Sequence, residues 1–137
     1  MSVALDQLIP HRAPMQWITA LTSCTESTAT AIACFQENDF TVTEGQVIET
    51  ALVECVAQTV AAALGQRAKL CGAKSGTAAN GMLVAVSSFK IQSRPAAGKT
   101  LQIEIREQKR LGPMQLIAGT ISCDGQIVAS GELSLYA

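Results

Sequence analysis

The sequence predicts an α+β domain in which a curved antiparallel sheet wraps around one long buried helix. The segment from Gln46 to Lys69 is long and rich in alanine, so it is expected to be helical. It is apolar on all sides, which is typical of a buried helix. The rest of the chain is rich in strand-forming residues, and a sheet folded over the helix is the economical way to bury it. The open edges of such a sheet favour dimerisation.

The elements follow one another in a single domain, residues 1–137, with no repeat and no linker. A short helical turn is expected at Leu5–Ile9, before Pro10. Asp124-Gly125 is a strong signal for a two-residue hairpin. Alternating apolar residues and β-branched residues predict strands on both sides of the helix. These strands are Met15–Leu21, Thr28–Phe35, Met82–Gln92, a strand through Leu101, Ile103 and Ile105, Met114–Cys123, and Gln126–Tyr136.

The long helix is expected to begin near Thr43, because Thr43 and Gln46 have the spacing of a capping box. Basic residues appear only at its C-terminal end, where the helix dipole favours them. Small and apolar residues surround Glu54 on its own face, and the opposite face is apolar as well. Glu54 is therefore predicted to be a carboxylate in the middle of a helix that has no side facing water.

Composition limits the partners and the location of the protein. The net charge is -1, from 10 basic and 11 acidic residues, which gives no electrostatic reason to expect nucleic acid or a charged membrane surface. The apolar runs are too short to span a bilayer, and no secretory signal is visible. The five cysteines form no C-x-x-C pair, so they predict small core residues in a reducing cytoplasm rather than a metal site.

Two motifs resemble a known family. Residues 8–15 read LIPHRAPM, similar to the opening motif of the hotdog-fold 3-hydroxyacyl-ACP dehydratases, and residues 52–58 read LVECVAQ, similar to their helix motif. Phe89-Lys90, Pro95-x-x-Gly98 and the segment 124–131 also fall where that family has its motifs. The resemblance covers nearly the whole chain. It implies a hotdog fold and dehydration of a 3-hydroxyacyl thioester to a trans-2-enoyl thioester, without a cofactor.

The chain departs from the fatty-acid dehydratases just before the helix. Those enzymes carry the catalytic histidine there in a G-H-F-P-G segment, whereas residues 41–47 read TVTEGQV. The family's glycine five residues before the helix glutamate is Glu49 here. The chain is thus most similar to the dehydratase-like subfamily of aryl-polyene and related specialised polyketide pathways, which keeps the opening and helix motifs.

Dehydration requires a base for the proton next to the carbonyl and an acid for the departing hydroxyl. We expect His11, the only histidine of the chain, to be the base and Glu54 to be the acid. Gln58 lies one turn after Glu54 and is expected to fix the carboxyl group by a hydrogen bond. Backbone N–H groups at the helix start, around Gln46 and Val47, are expected to polarise the thioester carbonyl.

Other residues are expected at the margins of this site. Trp17 and Phe89 are expected in the core or in the wall of an acyl tunnel. The resemblance implies that the catalytic pair is completed across a homodimer or higher oligomer, with an acyl carrier protein or coenzyme A thioester as partner. A subset of six basic residues, which are otherwise expected to be solvated, could dock an acidic carrier: Arg67, Lys69, Lys74, Lys90, Arg94 and Lys99.

Two alternatives to a dehydratase remain open from the sequence. In a hotdog thioesterase, Glu54 would activate water against the thioester and no histidine would be required. A non-catalytic acyl-binding subunit would fit the missing histidine segment.

Overall fold

The computed structural model describes residue 5, residues 8–9, residues 15–70 and residues 82–136. One helix and eight strands are found there. In chain order they are β1 (Ile18–Cys24), β2 (Thr28–Cys34), β3 (Val42–Thr43), β4 (Gln46–Val47), α1 (Glu49–Leu70), β5 (Met82–Ile91), β6 (Thr100–Leu111), β7 (Met114–Cys123) and β8 (Gln126–Tyr136).

Six of the strands form one sheet in the order β1-β2-β6-β7-β8-β5, and every neighbouring pair is antiparallel. Helix α1 contacts strands on both sides of this sheet's centre. Strand β6 shows how the pattern works, since Leu101, Ile103 and Ile105 are buried while the residues between them are exposed. The predicted α+β architecture, a large antiparallel sheet on one long helix, is confirmed.

The predicted helix start near Thr43 is wrong. Thr43 pairs with Gln46 in the two-stranded β3–β4 hairpin, and the helix begins at Glu49. The residues at the turn, Glu44 and Gly45, have φ angles of 54° and 76°, which suit a tight hairpin and exclude a right-handed helix. The T-E-G-Q segment is therefore a hairpin turn rather than a capping box.

The prediction that α1 has no side facing water is also wrong for the single chain. A stripe about 100° wide along the helix is only partly buried, because no strand of the sheet covers it. Except for Glu54 at its edge and Thr50 at its start, this half-exposed stripe is apolar. Its other members are Val53, Ala57, Ala61, Leu64 and Ala68.

Two glycines allow the closest approaches to the helix. A Cβ atom added to Gly119 of β7 would lie 2.4 Å from Cγ1 of Val56. A Cβ atom added to Gly65 of the helix would lie 2.5 Å from the carbonyl oxygen of Leu8. Leu8 and Ile9 are both buried and donate their N–H groups to the carbonyl of Leu5, as expected for a helical turn. The N-terminal turn is thus packed directly on the C-terminal half of α1.

In the part of the chain that the structure describes, no helix combines the length and the apolar character needed to cross a membrane. Four cysteines lie in the same ranges, and all four are free thiols.

Candidate active site

Gln58 connects the helix to the strand that follows the N-terminal motif. Its side chain is 1% exposed. Its Oε1 atom accepts the N–H groups of Trp17 at 2.8 Å and Ile18 at 3.3 Å. Its Nε2 atom donates to the carbonyl of Met15 at 2.7 Å and to Oε2 of Glu54 at 3.2 Å. A primary amide has two donor hydrogens and two acceptor lone pairs, so the hydrogen-bonding capacity of Gln58 is fully used.

Glu54 is therefore held in one orientation. Its Oε2 atom accepts from Gln58, as predicted from their spacing of one turn. The residue is partly exposed rather than buried, at the edge of the half-exposed stripe. This corrects the predicted dry environment, because one side of the helix is left uncovered by the sheet. The arrangement gives the carboxyl group both a fixed partner and access to solvent or substrate.

Cys55, the neighbour of Glu54, is chemically inert in this setting. It is fully buried, and burial together with the nearby charge of Glu54 raises the pKa of its thiol from 9.0 to about 12. The thiolate is the nucleophilic form of cysteine, and it is scarcely populated at neutral pH with such a pKa. Cys55 is thus a packing residue, and Glu54 remains the candidate reactive group of this helix turn.

His11, the predicted base, lies outside the described residues. The structure describes residues on each side of it, Ile9 and Met15. Both flanking segments pack on α1, Leu8 against Gly65 and Met15 against Gln58.

Gln46 and Val47 do not lie at the start of the helix, contrary to the prediction. They form β4, and the N–H group of Val47 donates to the carbonyl of Pro95 at 2.9 Å. That N–H group is therefore engaged within the protein and cannot point at a thioester. The first N–H groups of the helix instead belong to Glu49 and Thr50, which lack intrahelical acceptors as in any helix. Val47 is buried and Gln46 is exposed.

Phe89 packs on the sheet. A Cβ atom on Gly131 would lie 2.4 Å from Cδ2 of Phe89, so the ring covers this glycine. Gly131 is paired with Gly119, which faces Val56 of the helix. Val56 lies about 200° round the helix from Glu54. Within one chain, Phe89 is therefore on the opposite side of the helix from Glu54, and its predicted role in substrate binding stays a prediction.

The backbone of residues 15–18 is the part of the site that sequence reasoning missed. It supplies three of the four partners of Gln58. The sequence signal that could have found this backbone segment is its position at the end of the opening motif, residues 8–15. On the other side of Trp17 lies an open cavity of about 310 Å³. Rings of Trp17, Phe35 and Phe40 meet edge to face in its wall, with centroids 6.3 and 6.1 Å apart.

The antiparallel sheet on one long helix places the chain among the hotdog-fold proteins. A model of the ApeP-like family, described as ApeP dehydratase, matches residues 3–137. The chain therefore belongs to the ApeP-like family of dehydratases.

Solved structures support the fold at low sequence identity. The dehydratase heterocomplex ApeI:P from Xenorhabdus doucetiae contains a chain that is 20% identical, with a TM-score of 0.86 over 99% of this chain and 91% of that one. An HP0420 homologue from Helicobacter felis is 13% identical, with a TM-score of 0.73 over 96% of this chain and 85% of that one. A hypothetical thioesterase with coenzyme A from Streptococcus pneumoniae TIGR4 is 11% identical, with a TM-score of 0.68 over 85% of this chain and 83% of that one. A comparison with curated proteins finds no match.

Proposed function

We propose that this dehydratase removes water from a 3-hydroxyacyl thioester, carried on acyl carrier protein, to give the trans-2-enoyl thioester in fatty-acid-like or polyene synthesis. The observation that carries the proposal is the carboxyl group of Glu54, partly exposed and held by the fully bonded amide of Gln58. A reaction that expels hydroxide needs an acid at a fixed position, and this pair provides one.

In the proposed reaction, His11 takes the proton from the carbon next to the thioester carbonyl. The electron pair of that C–H bond forms the new double bond, and the C–O bond to the hydroxyl group breaks. Glu54 protonates the departing oxygen, so that water leaves. The hydrogen bond from Gln58 to Oε2 fixes the position of this carboxyl group. Exchange with solvent then returns the proton from His11 to Glu54, for which the partial exposure of Glu54 gives access.

The assignment of His11 rests on the anchors at each side of it in the sequence. Leu8 packs against Gly65 and Met15 bonds to Gln58, and these two helix positions are about 10 Å apart along the axis. Met15 follows His11 by four residues, a length of chain that spans at most about 14 Å. These limits are compatible with an imidazole that serves the site of Glu54.

The proposal includes an oligomer, since the catalytic pair is expected to combine groups from two subunits. The half-exposed apolar stripe of α1 and the edge strand β5 supply the uncovered surfaces that a homodimer would bury. A mixed pair of hotdog subunits is the alternative, because the similar ApeI:P structure is a heterocomplex. We propose a cytoplasmic location because the four cysteines among the described residues are free thiols, as is typical of a reducing compartment.

The experiment follows two products from one incubation. The protein is mixed with 3-hydroxyacyl thioesters on acyl carrier protein and on coenzyme A, and enoyl absorbance and free thiol are recorded in parallel. We expect enoyl product without thiol release, and no turnover in His11→Ala. Full activity of His11→Ala would remove the base assignment.

Thiol release without enoyl product would favour a thioesterase, the class to which the similar coenzyme A-bound structure was ascribed. Binding of the acyl carrier without either product would favour an acyl-binding subunit. Turnover that appears only after a second hotdog subunit is added would favour the mixed pair.

A further inference from the structure

Arg94 was expected to be solvated, but its side chain donates hydrogen bonds to three backbone carbonyls. Its Nε atom donates to the carbonyl of Val47 at 2.9 Å. Its Nη2 atom donates to the carbonyls of Thr43 at 3.1 Å and Gln46 at 3.0 Å, and to Oγ1 of Thr43 at 2.6 Å. The three residues belong to the β3–β4 hairpin, so one guanidinium group holds both strands of it.

The backbone around Arg94 adds to the same attachment. The carbonyl of Pro95 accepts the N–H of Val47 at 2.9 Å, and the N–H of Ala97 donates to the carbonyl of Gly45 at 2.9 Å. Gln46 also forms an isolated bridge with Ala96. The segment 94–97 therefore fixes the hairpin from its side, and Arg94 supplies the side-chain part of the attachment. A planar guanidinium group can donate to several converging carbonyls at once, whereas an ammonium group is a point donor.

The hairpin is coupled directly to the candidate active site. Strand β4 ends at Val47, and α1 begins at Glu49. Between them, the N–H of Ile48 donates to the carbonyl of Thr41, which closes the hairpin onto the helix start. Glu54 comes six residues after Ile48, which is about 9 Å along the axis and in the second turn of the helix. A movement of the hairpin would therefore shift the first turn of the helix and, through it, the carboxyl group in the next turn.

We propose that Arg94 is a positioning residue for the dehydration: it holds the β3–β4 hairpin, and through it the first turn of α1, in the geometry that the reaction at Glu54 requires. This inference rests on the proposed function.

The chain offers a matched control in Arg67. It also donates to backbone carbonyls, through Nε to Thr25 at 2.8 Å and through Nη2 to Thr28 at 3.4 Å, but at the opposite end of the same helix. The experiment compares Arg94→Ala, Arg94→Lys and Arg67→Ala in steady-state dehydration of a coenzyme A thioester, so that docking of a carrier protein does not contribute. Hydrogen exchange of the peptide 41–48 is measured alongside.

We expect kcat of Arg94→Ala to fall by about tenfold to a hundredfold, with a smaller change in KM, because a small misplacement of the acid costs rate rather than binding. Arg94→Lys should recover little of the loss. Guanidinium ion at a non-denaturing concentration should restore part of it in Arg94→Ala. Exchange of the hairpin amides should accelerate in Arg94→Ala and not in Arg67→Ala, whose kcat should stay within about twofold of wild type.

Two results would overturn the inference. One is a kcat of Arg94→Ala within about twofold of the wild-type value, and the other is an equal loss in Arg67→Ala, which would indicate a general effect on stability. If Arg94→Ala does not fold, Arg94→Lys decides by the same criteria. A wild-type protein that dehydrates no thioester would refute the proposed function, whereas normal wild-type turnover with unaffected Arg94 variants would refute this inference alone.

Discussion

Two buried glutamines on α1 differ in their hydrogen bonding. Gln58 is 1% exposed and has four hydrogen-bond partners, whereas Gln66, about two turns later, is 7% exposed and its Oε1 atom has no hydrogen-bond partner among the residues that the structure describes. Burial of an unpaired amide costs free energy, and burial of a fully bonded one fixes geometry. The comparison teaches that the N-terminal half of the helix is organised around a polar anchor, and that its C-terminal half is a packing element.

The largest expected effect follows from removing the carboxyl group of Glu54, which Gln58 holds. Glu54→Gln should lower kcat for dehydration by about 10²- to 10⁴-fold, because an amide cannot protonate the departing hydroxyl. Glu49→Gln is the control, since this exposed residue of the first helical turn lies away from the Gln58 anchor. The enoyl absorbance assay measures both. Comparable losses in the two variants would show that the helix carries no specific acid.

The second effect tests the comparison itself. Gln58→Met removes the amide that bonds the N–H groups of Trp17 and Ile18 and the carbonyl of Met15, so the free energy of unfolding should fall by at least about 1–3 kcal/mol. Glu54 also loses its support, and kcat should fall by about tenfold or more.

Gln66→Met is the matched control for that change. It removes an amide oxygen that has no hydrogen-bond partner within residues 15–70 and 82–136, so the free energy of unfolding should stay constant or rise by about 1 kcal/mol, with normal kcat. Urea denaturation and the enoyl assay give both quantities. Equal responses of the two variants would abolish the distinction between the halves of the helix.

The third effect concerns the C-terminal half of α1. Gly65→Ala brings a Cβ atom to 2.5 Å from the carbonyl of Leu8, so the N-terminal turn must move. We expect the free energy of unfolding to fall by about 1–3 kcal/mol, which exceeds the gain in helix propensity of about 1 kcal/mol. Turnover should fall as well if His11 depends on this turn. An active Gly65→Ala would separate the turn from catalysis.

The last effect is a pH dependence that appears only at alkaline pH. The pKa of Cys55 is raised from 9.0 to about 12, so the unfolded chain loses this proton at a lower pH than the native one. The free energy of unfolding should therefore fall as the pH rises from about 9 towards 12, and be unaffected at neutral pH. Denaturation of the wild type and of Cys55→Ala across this range should differ in slope. Parallel curves would mean that the thiol is not buried from solvent in solution.

The sequence predicted the helix, the main sheet strands and the Gln58–Glu54 bond because these follow from local spacing. Periodicity sets which residues share a face, and a residue one turn away is within hydrogen-bond reach. The resemblance of two motifs then predicted the dehydratase class, which the family match confirms.

The errors have a common physical cause, which is contact with distant parts of the chain. The hairpin at Thr43 and Gln46 is fixed by segment 94–97, about fifty residues later, and no local pattern reveals that. The role of Arg94 was missed for the same reason. The burial of Glu54 was overestimated because an apolar helix face does not say whether the same chain covers it. The positions of substrate-binding groups depend on such contacts, so they could not be derived from periodicity.

The anchor of Gln58 has a consequence for how this enzyme could be re-engineered. Its partners at positions 15, 17 and 18 contribute main-chain atoms, so attachment of the strand to the helix does not depend on which amino acids stand there. Trp17 also forms part of the cavity wall. The wall of this cavity can thus be changed by exchanging the side chain at position 17 while the main-chain attachment to Gln58 is kept.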